Sequence, residues 1–213
     1  MTTVYFIRHA QAEGNLYHQI QGNAEREVTA LGREQIAALG QRFTDIPVDA
    51  VYSSDLRRAV ETAKAVSEPK GLPIKIEKAF REIDFGDWEG REMSEIARND
   101  VFQFDAFLHH MDLWQVPGGE TPRQVLDRFL PALDRVRREN EGKTVAIVSH
   151  GCALRIVLAH LRGLSLKEAG DFVPCVNTAV SKVTWEGDVP TVVYQDDGSH
   201  WSDRKQSADW WRG

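Results

Sequence analysis

The chain has 213 residues, a formal net charge of −6 at pH 7 and two cysteines, a length that suits one domain with a sizeable core, or one with a small cap. The acidic balance excludes a global basic field for nucleic acid, so any anion must meet locally placed cations. Cys152 and Cys175 show no metal or redox spacing and read as reduced core thiols of a cytoplasmic protein.

The N-terminus enters a strand directly, with no basic region before a long apolar stretch, so no targeting segment is expected. Val4-Tyr5-Phe6-Ile7 is a short β-branched and aromatic run that reads as a buried parallel strand, ending at Arg8-His9-Ala10. A polar loop rich in Gln, Asn and Gly follows from Gln11 to Glu27. Thr29 is placed as the N-cap of a helix that turns Ile36, Leu39 and Phe43 inward. Ala50-Val51-Tyr52 is a second strand, and Ser53-Ser54-Asp55 offers caps for a helix burying Ala59, Ala63 and Val66. Pro73 to Ile76 is a third strand.

From Glu92 to Trp114 charge alternates with large apolar groups, the pattern of short cap helices. Thr121-Pro122 opens a long helix with Val125, Phe129, Leu133 and Val136 inward and a kink expected at Pro131. Val145-Ala146-Ile147-Val148 is another buried strand and ends at Ser149-His150-Gly151. A helix from Ala153 to Leu161 and two late strands, Ala179 to Trp185 and Thr191 to Tyr194, complete the alternation. The most apolar span carries Ser149, His150, Arg155 and His160, so no membrane helix is expected. The whole pattern indicates a three-layer α/β sandwich with a mostly parallel central sheet and a small helical cap insertion.

Ligands of open α/β sheets sit beyond the carboxyl ends of the strands. Two such ends carry histidine, one of them beside an arginine. A neutral imidazole can attack phosphorus to form a phosphohistidine that water then hydrolyses. Phosphoryl transfer needs fixed cations and N–H donors around the equatorial oxygens. Arg8 lies beside His9, and Arg57-Arg58 opens the helix after Ser53-Ser54, where backbone donors and the dipole favour an anion. A leaving oxygen needs a proton, and the run from Arg81 to Gly90 offers Glu82, Asp84, Asp87 and Glu89. Composition does not choose among the four.

These pieces resemble the histidine phosphatase superfamily, which includes cofactor-dependent phosphoglycerate mutases. The resemblance rests on Arg8-His9-Ala10, Asn15, Gln21-Gly22, Thr29 to Gly32, Ser53 to Ala59, Glu82 with Phe85 to Gly90, Gly118-Gly119-Glu120 and Ser149-His150-Gly151. It implies His9 as nucleophile, Glu82 as proton donor, and Arg8, Arg58 and His150 completing the phosphate pocket. His150 would assist as a cation or donor. Asn15, Gln21, Gly22 and Gly151 would bind substrate alongside. No metal or other cofactor is implied.

Two positions depart from the family pattern. Ala10 stands where Gly is usual, which makes positive φ costly there. Ala12 stands where a hydroxyl is common, removing one hydrogen bond worth ~1 kcal/mol. A mutase would carry Arg directly after the acid, where this chain has Ile83, so hydrolysis of a small-molecule phosphate ester, with inorganic phosphate as product, is the preferred expectation. The mutase reading is the alternative. A metallohydrolase using His9, His150, Glu82 and Asp84 is disfavoured by Arg8 and Arg58 beside the cation. A non-catalytic phospho-ligand binding protein is the remaining rival.

The expected organisation is one domain over 1–198, with its cap at about 89–120, and a tail over 199–213. Trp201, Trp210 and Trp211 imply that this tail folds back or meets a second copy in a homodimer, with disorder as the alternative. His109-His110 reads as a solvated helix face, with substrate contact as the alternative; Phe102, Phe104, Phe107 and Leu108 read mostly as cap core, with an apolar specificity pocket as the alternative; Cys152 reads as buried packing, and Asn177-Thr178 as a turn, with approach to the site as the alternative.

Overall fold

The computed structural model describes residues 1–171 and 176–201. Cys175, Trp210 and Trp211, and with them most of the expected tail, lie outside the described residues. Six strands form one sheet: β1 (Thr2–Arg8), β2 (Ala50–Ser53), β3 (Ile74–Ile76), β4 (Thr144–Ser149), β5 (Val180–Glu186) and β6 (Val189–Asp197), in the order β3-β2-β4-β1-β5-β6. β3, β2, β4 and β1 pair in parallel, whereas β5 runs antiparallel to β1 and β6 antiparallel to β5. The two late strands adjoin in sequence, and a hairpin joins antiparallel neighbours without a crossover helix.

The helices are α1 (Glu13–Leu16), α2 (Ala30–Arg42), α3 (Arg57–Ser67), α4 (Met93–Asn99), α5 (Val101–His109), α6 (Pro122–Glu139) and α7 (Gly151–Leu161). Alternation along a strand sends side chains to opposite faces, and both faces of β1 and β4 are apolar. Tyr5, Ile7, Ala146 and Val148 pack with Leu39, Phe43, Ala59, Ala63 and Val66 from α2 and α3. Val4, Phe6, Val145 and Ile147 pack with Val125, Phe129 and Leu133 of α6 and Ile156 and Val157 of α7. These are the three layers. The cap helices α4 and α5 join the second core through Met93, Ile96 and Phe107, and the Phe107 ring packs with Trp88 and Trp114, the three rings lying 5.7 to 6.0 Å apart.

Several local expectations are corrected. The polar loop after β1 contains the short helix α1. Thr29 does cap α2, accepting from Gly32 N–H at 3.0 Å, but the inward face carries Gln35 while Ile36 is only half-buried. Gln35 is inside because its Oε1 accepts the Gln11 N–H at 2.8 Å and pins the loop after His9. No side chain from Ser53-Ser54-Asp55 caps α3, whose N-cap is Leu56; those polar groups are committed elsewhere, as described below. The helix expected from Thr121-Pro122 is formed as α6, with Pro131 inside it and a capping box at Thr121 and Gln124. α7 begins at Gly151, two residues before the expected start. Phe102 is 67% exposed and so is not cap core.

Candidate active site

β1 and β4 are neighbours in register, with Arg8 opposite Ser149. This pairing brings His9 and His150 off adjacent strand ends, with their ring centroids 5.1 Å apart. The crevice beyond them is lined by Arg8, His9, Asn15, Gln21, Gly22, Arg58, Glu82 and Gly151. Eight of the nine site residues expected from the sequence therefore share one wall. The ninth, His150, is fully buried behind that surface rather than on it.

His9 is 3% exposed. Its Nδ1 lies 2.7 Å from the Ala10 carbonyl oxygen. A carbonyl only accepts, so Nδ1 carries the proton and the Nε2 lone pair remains for chemistry. Burial, then the Arg58 and Arg8 charges, hold the imidazole pKa well below its ordinary value, so the ring is neutral at physiological pH. Ala10 has no left-handed backbone. Its N–H donates to Thr62 Oγ1 at 2.8 Å, and Thr62 Oγ1–H donates to the Arg58 carbonyl at 2.7 Å. The glycine usual at this position is therefore not required here.

Arg58 is fully buried, and its guanidinium donates to the carbonyls of Gly22 at 2.6 Å and Ala24 at 2.9 Å. Burial pulls its pKa down to about 10, so it remains a cation. Its buried Nε has no hydrogen-bond partner among the described residues. The turn that supplies those carbonyls depends on Gly22, at φ +48°, where a Cβ would stand 1.8 Å from Glu89 Oε1. Gly151 likewise sits under Arg8: a Cβ there would stand 3.1 Å from Arg8 Nε. Asn15 Oδ1 accepts the Ala12 N–H at 3.1 Å, which turns its amide NH2 group away from that bond. Ala12 does not line the crevice, so its missing hydroxyl affects the N-cap of α1 rather than the pocket wall.

Of the four candidate carboxylates only Glu82 faces the crevice. Its Oε1 accepts from Ile83 N–H at 3.0 Å and Ala153 N–H at 2.8 Å, and its Oε2 from Cys152 N–H at 3.1 Å. Two of those donors belong to the first turn of α7, where a carboxylate also meets the favourable end of the helix dipole. Asp84 accepts from Gly86 N–H and Glu89 from Asn23 N–H, which are loop-shaping duties. The Glu82 loop is held from behind by Arg128, which donates to the carbonyls of Ala79, Arg81 and Glu82 at 2.7 to 3.0 Å. Arg128 also pairs in a bidentate way with Glu120, at 2.7 and 2.8 Å. Glu120 is the last residue of the Gly118-Gly119-Glu120 motif, which thereby acquires a physical role.

His150 Nε2 lies 2.7 Å from Ser54 Oγ, and Ser53 Oγ–H donates to the Ser54 carbonyl. Asp55 instead takes both Arg81 bonds, at 2.6 and 2.7 Å. Burial, with Arg58 and His9 nearby, pushes the His150 pKa well below its ordinary value. The neutral form of the ring is thereby favoured. Burial also pushes the Cys152 thiol up, away from the reactive thiolate, as buried packing requires.

Several residues that line or hold the site were not anticipated. Gln19, Ile20, Phe85, Cys152 and Arg155 also line it, together with Phe107, which the sequence did offer for an apolar specificity pocket. Arg155 is 4% exposed and donates to the carbonyls of Ala169, Phe107 and Leu108 at 2.6 to 3.0 Å, tying α7 to the cap. Asn177 Nδ2 donates to the His9 carbonyl at 2.9 Å, and Thr178 adopts φ +61° beside it. The Asn177-Thr178 turn thus also grips the loop bearing His9. A wider cleft of about 600 Å³ lies elsewhere, between α6, α7 and β6, and its Arg137 is paired with Asp134 and Asp188.

Among the described residues no three His, Cys, Asp or Glu side chains gather as a metal site. No helix among them is long and apolar enough to cross a membrane.

The family model of the histidine phosphatase superfamily (branch 1) matches residues 4–198. The chain belongs to that superfamily. Phosphoserine phosphatase 1 of Hydrogenobacter thermophilus is 29% identical over 87% of this chain and 88% of its own length. A probable phosphoglycerate mutase, GpmB, of Salmonella choleraesuis is 29% identical over 77% of this chain and 76% of its own length. The solved structure of Bacillus stearothermophilus YhfR superposes with a TM-score of 0.89 at 32% identity, covering 94% of this chain and 99% of that one.

Proposed function

We propose that this histidine phosphatase hydrolyses small-molecule phosphomonoesters through a phosphohistidine at His9, without a metal. The observation that carries the reading is a neutral His9 whose Nδ1–H is committed to the Ala10 carbonyl, set between Arg8 and Arg58. In the first step the Nε2 lone pair forms an N–P bond as the P–O ester bond breaks. Arg8 and Arg58 hold the equatorial oxygens, with Asn15, Gln21, Gly22 and Gly151 alongside. Glu82, the one candidate carboxylate that faces the crevice, gives a proton to the departing oxygen. In the second step Glu82 takes a proton from water, the water oxygen bonds phosphorus, and the N–P bond breaks to release inorganic phosphate. His150 serves as a neutral donor behind His9.

Hydrolysis is favoured over mutase chemistry by the residue after the acid. Ile83 is fully buried in the apolar core, so it supplies no cation for a substrate carboxylate. Phosphatase-named relatives support the same choice. The absence of any metal or redox cysteine spacing in the sequence fits a cytoplasmic site of action. The test is p-nitrophenyl phosphate hydrolysis in excess chelator, with His9→Ala beside the wild type. Turnover that survives the chelator and disappears in His9→Ala is expected. Turnover lost to the chelator, or retained in His9→Ala, overturns the proposal.

A further inference from the structure

Beyond the phosphate-binding groups, the crevice wall is chiefly uncharged. Ile20, Phe85, Phe107 and Cys152 line it, and all four are at least nine-tenths buried. The Phe85 and Phe107 rings meet edge to face at 5.7 Å, so this wall is packed by other aromatic side chains. The described polar residues beside it, Gln19 and Gln21, carry no charge. Apolar walls of this kind bind by excluding water, and a charged group brought against them must give up hydration without a partner.

The cations of the crevice have prior engagements. Arg8 and Arg58 flank His9, where the transferring phosphoryl group must sit. Arg155 is the third arginine lining the crevice, and each of its three guanidinium nitrogens donates to a main-chain carbonyl. Its guanidinium carbon also lies 5.8 Å from the Phe107 ring centroid, so the arginine packs against the apolar wall. A carboxylate on the alcohol portion of a substrate would call for a bidentate guanidinium with donors to spare. Among the described residues lining the crevice, no cation stands apart from the phosphate site and from the main-chain carbonyls that hold Arg155.

We infer that the physiological ester carries an uncharged, largely apolar leaving group, read by the wall formed by Ile20, Phe85 and Phe107. The inference rests on the phosphatase reading above and narrows it. Phosphomonoesters of amino acids or of hydroxy acids are the class this wall selects against. Phosphomonoesters of apolar alcohols or phenols are the class it accepts.

The test uses matched esters of similar leaving-group acidity, para-ethylphenyl phosphate and para-(carboxymethyl)phenyl phosphate. The expected kcat/KM ratio is roughly tenfold or more in favour of the neutral ester, the scale of apolar-pocket discrimination. Two variants locate the cause. Phe107→Leu should reduce kcat/KM for the neutral ester several-fold while inhibition by inorganic phosphate keeps its strength. Ile20→Lys should shift the ratio toward the carboxylated ester by adding the missing cation. Equal or better turnover of the carboxylated ester by the wild type overturns the inference and leaves the phosphatase reading standing. Failure to hydrolyse either ester overturns both.

Discussion

Acid should destabilise this protein through its two site histidines before its carboxylates titrate. His9 and His150 are 3% and 0% exposed, and burial together with neighbouring arginine holds both pKa values well below the ordinary one. In the unfolded chain each would bind a proton near its ordinary value of about 6.5. Below that pH the unfolded state holds more protons than the native state, so stability falls as pH falls. Between about pH 7.5 and about pH 5.5 each histidine costs at most about 1.4 kcal/mol, and the pair at most about 2.7 kcal/mol. Carboxylates held low in the native state, such as Asp55 beside Arg81, add their loss only nearer the unfolded carboxylate range of about 4. Urea unfolding at both pH values measures the difference directly. Burial also holds His200 down to about 4, so His150→Gln removes one of three such titrations and should cut the acid loss by roughly a third, whatever its effect on stability at neutral pH. A wild-type stability that is flat across this window would refute the reasoning, because the buried rings would then be protonated in the native state.

Three substitutions probe the rest of the site. Gly22→Ala forces a positive φ on alanine and drives its Cβ into Glu89, so the turn that holds Arg58 must move; steady-state kinetics should show KM rising roughly tenfold, from a backbone strain of about 1–2 kcal/mol. Asn177→Asp keeps the shape but replaces the donor to the His9 carbonyl with an anion. We expect kcat to fall more than KM rises, and the acid limb of the pH profile to move upward as His9 gains proton affinity. An unchanged pH profile would remove Asn177 from the positioning of His9. Glu82→Gln should slow alkyl phosphates far more than p-nitrophenyl phosphate, since only the poorer leaving group needs the proton; equal slowing would argue against Glu82 as the acid.

The strands and their two histidine ends were legible because buried parallel strands write their signal locally, as unbroken apolar runs that stop at a polar residue. Adjacent strand ends then brought His9 and His150 together with no further information. The identity of the acid was not legible from composition, because Glu82 is distinguished by amides on α7, far along the chain. Ser54 had the look of a helix cap and proved to face His150, a contact equally remote in sequence. Arg155 hides in an apolar run, and only the fold shows that its donors meet the cap carbonyls. The departure at Ala10 looked costly and was not, because the backbone there never enters the left-handed region. Local pattern places elements, whereas duties set by distant main-chain groups leave no local trace.

Rapid-quench labelling tests the central claim most directly. The enzyme is mixed with an ester carrying radioactive phosphate and stopped within one turnover, and the protein is examined for bound label. The account predicts phosphate covalently attached to His9, formed and discharged at rates no slower than turnover, and none attached in His9→Ala. Steady turnover with no label on His9 at any time would contradict it, since water would then be attacking the ester directly.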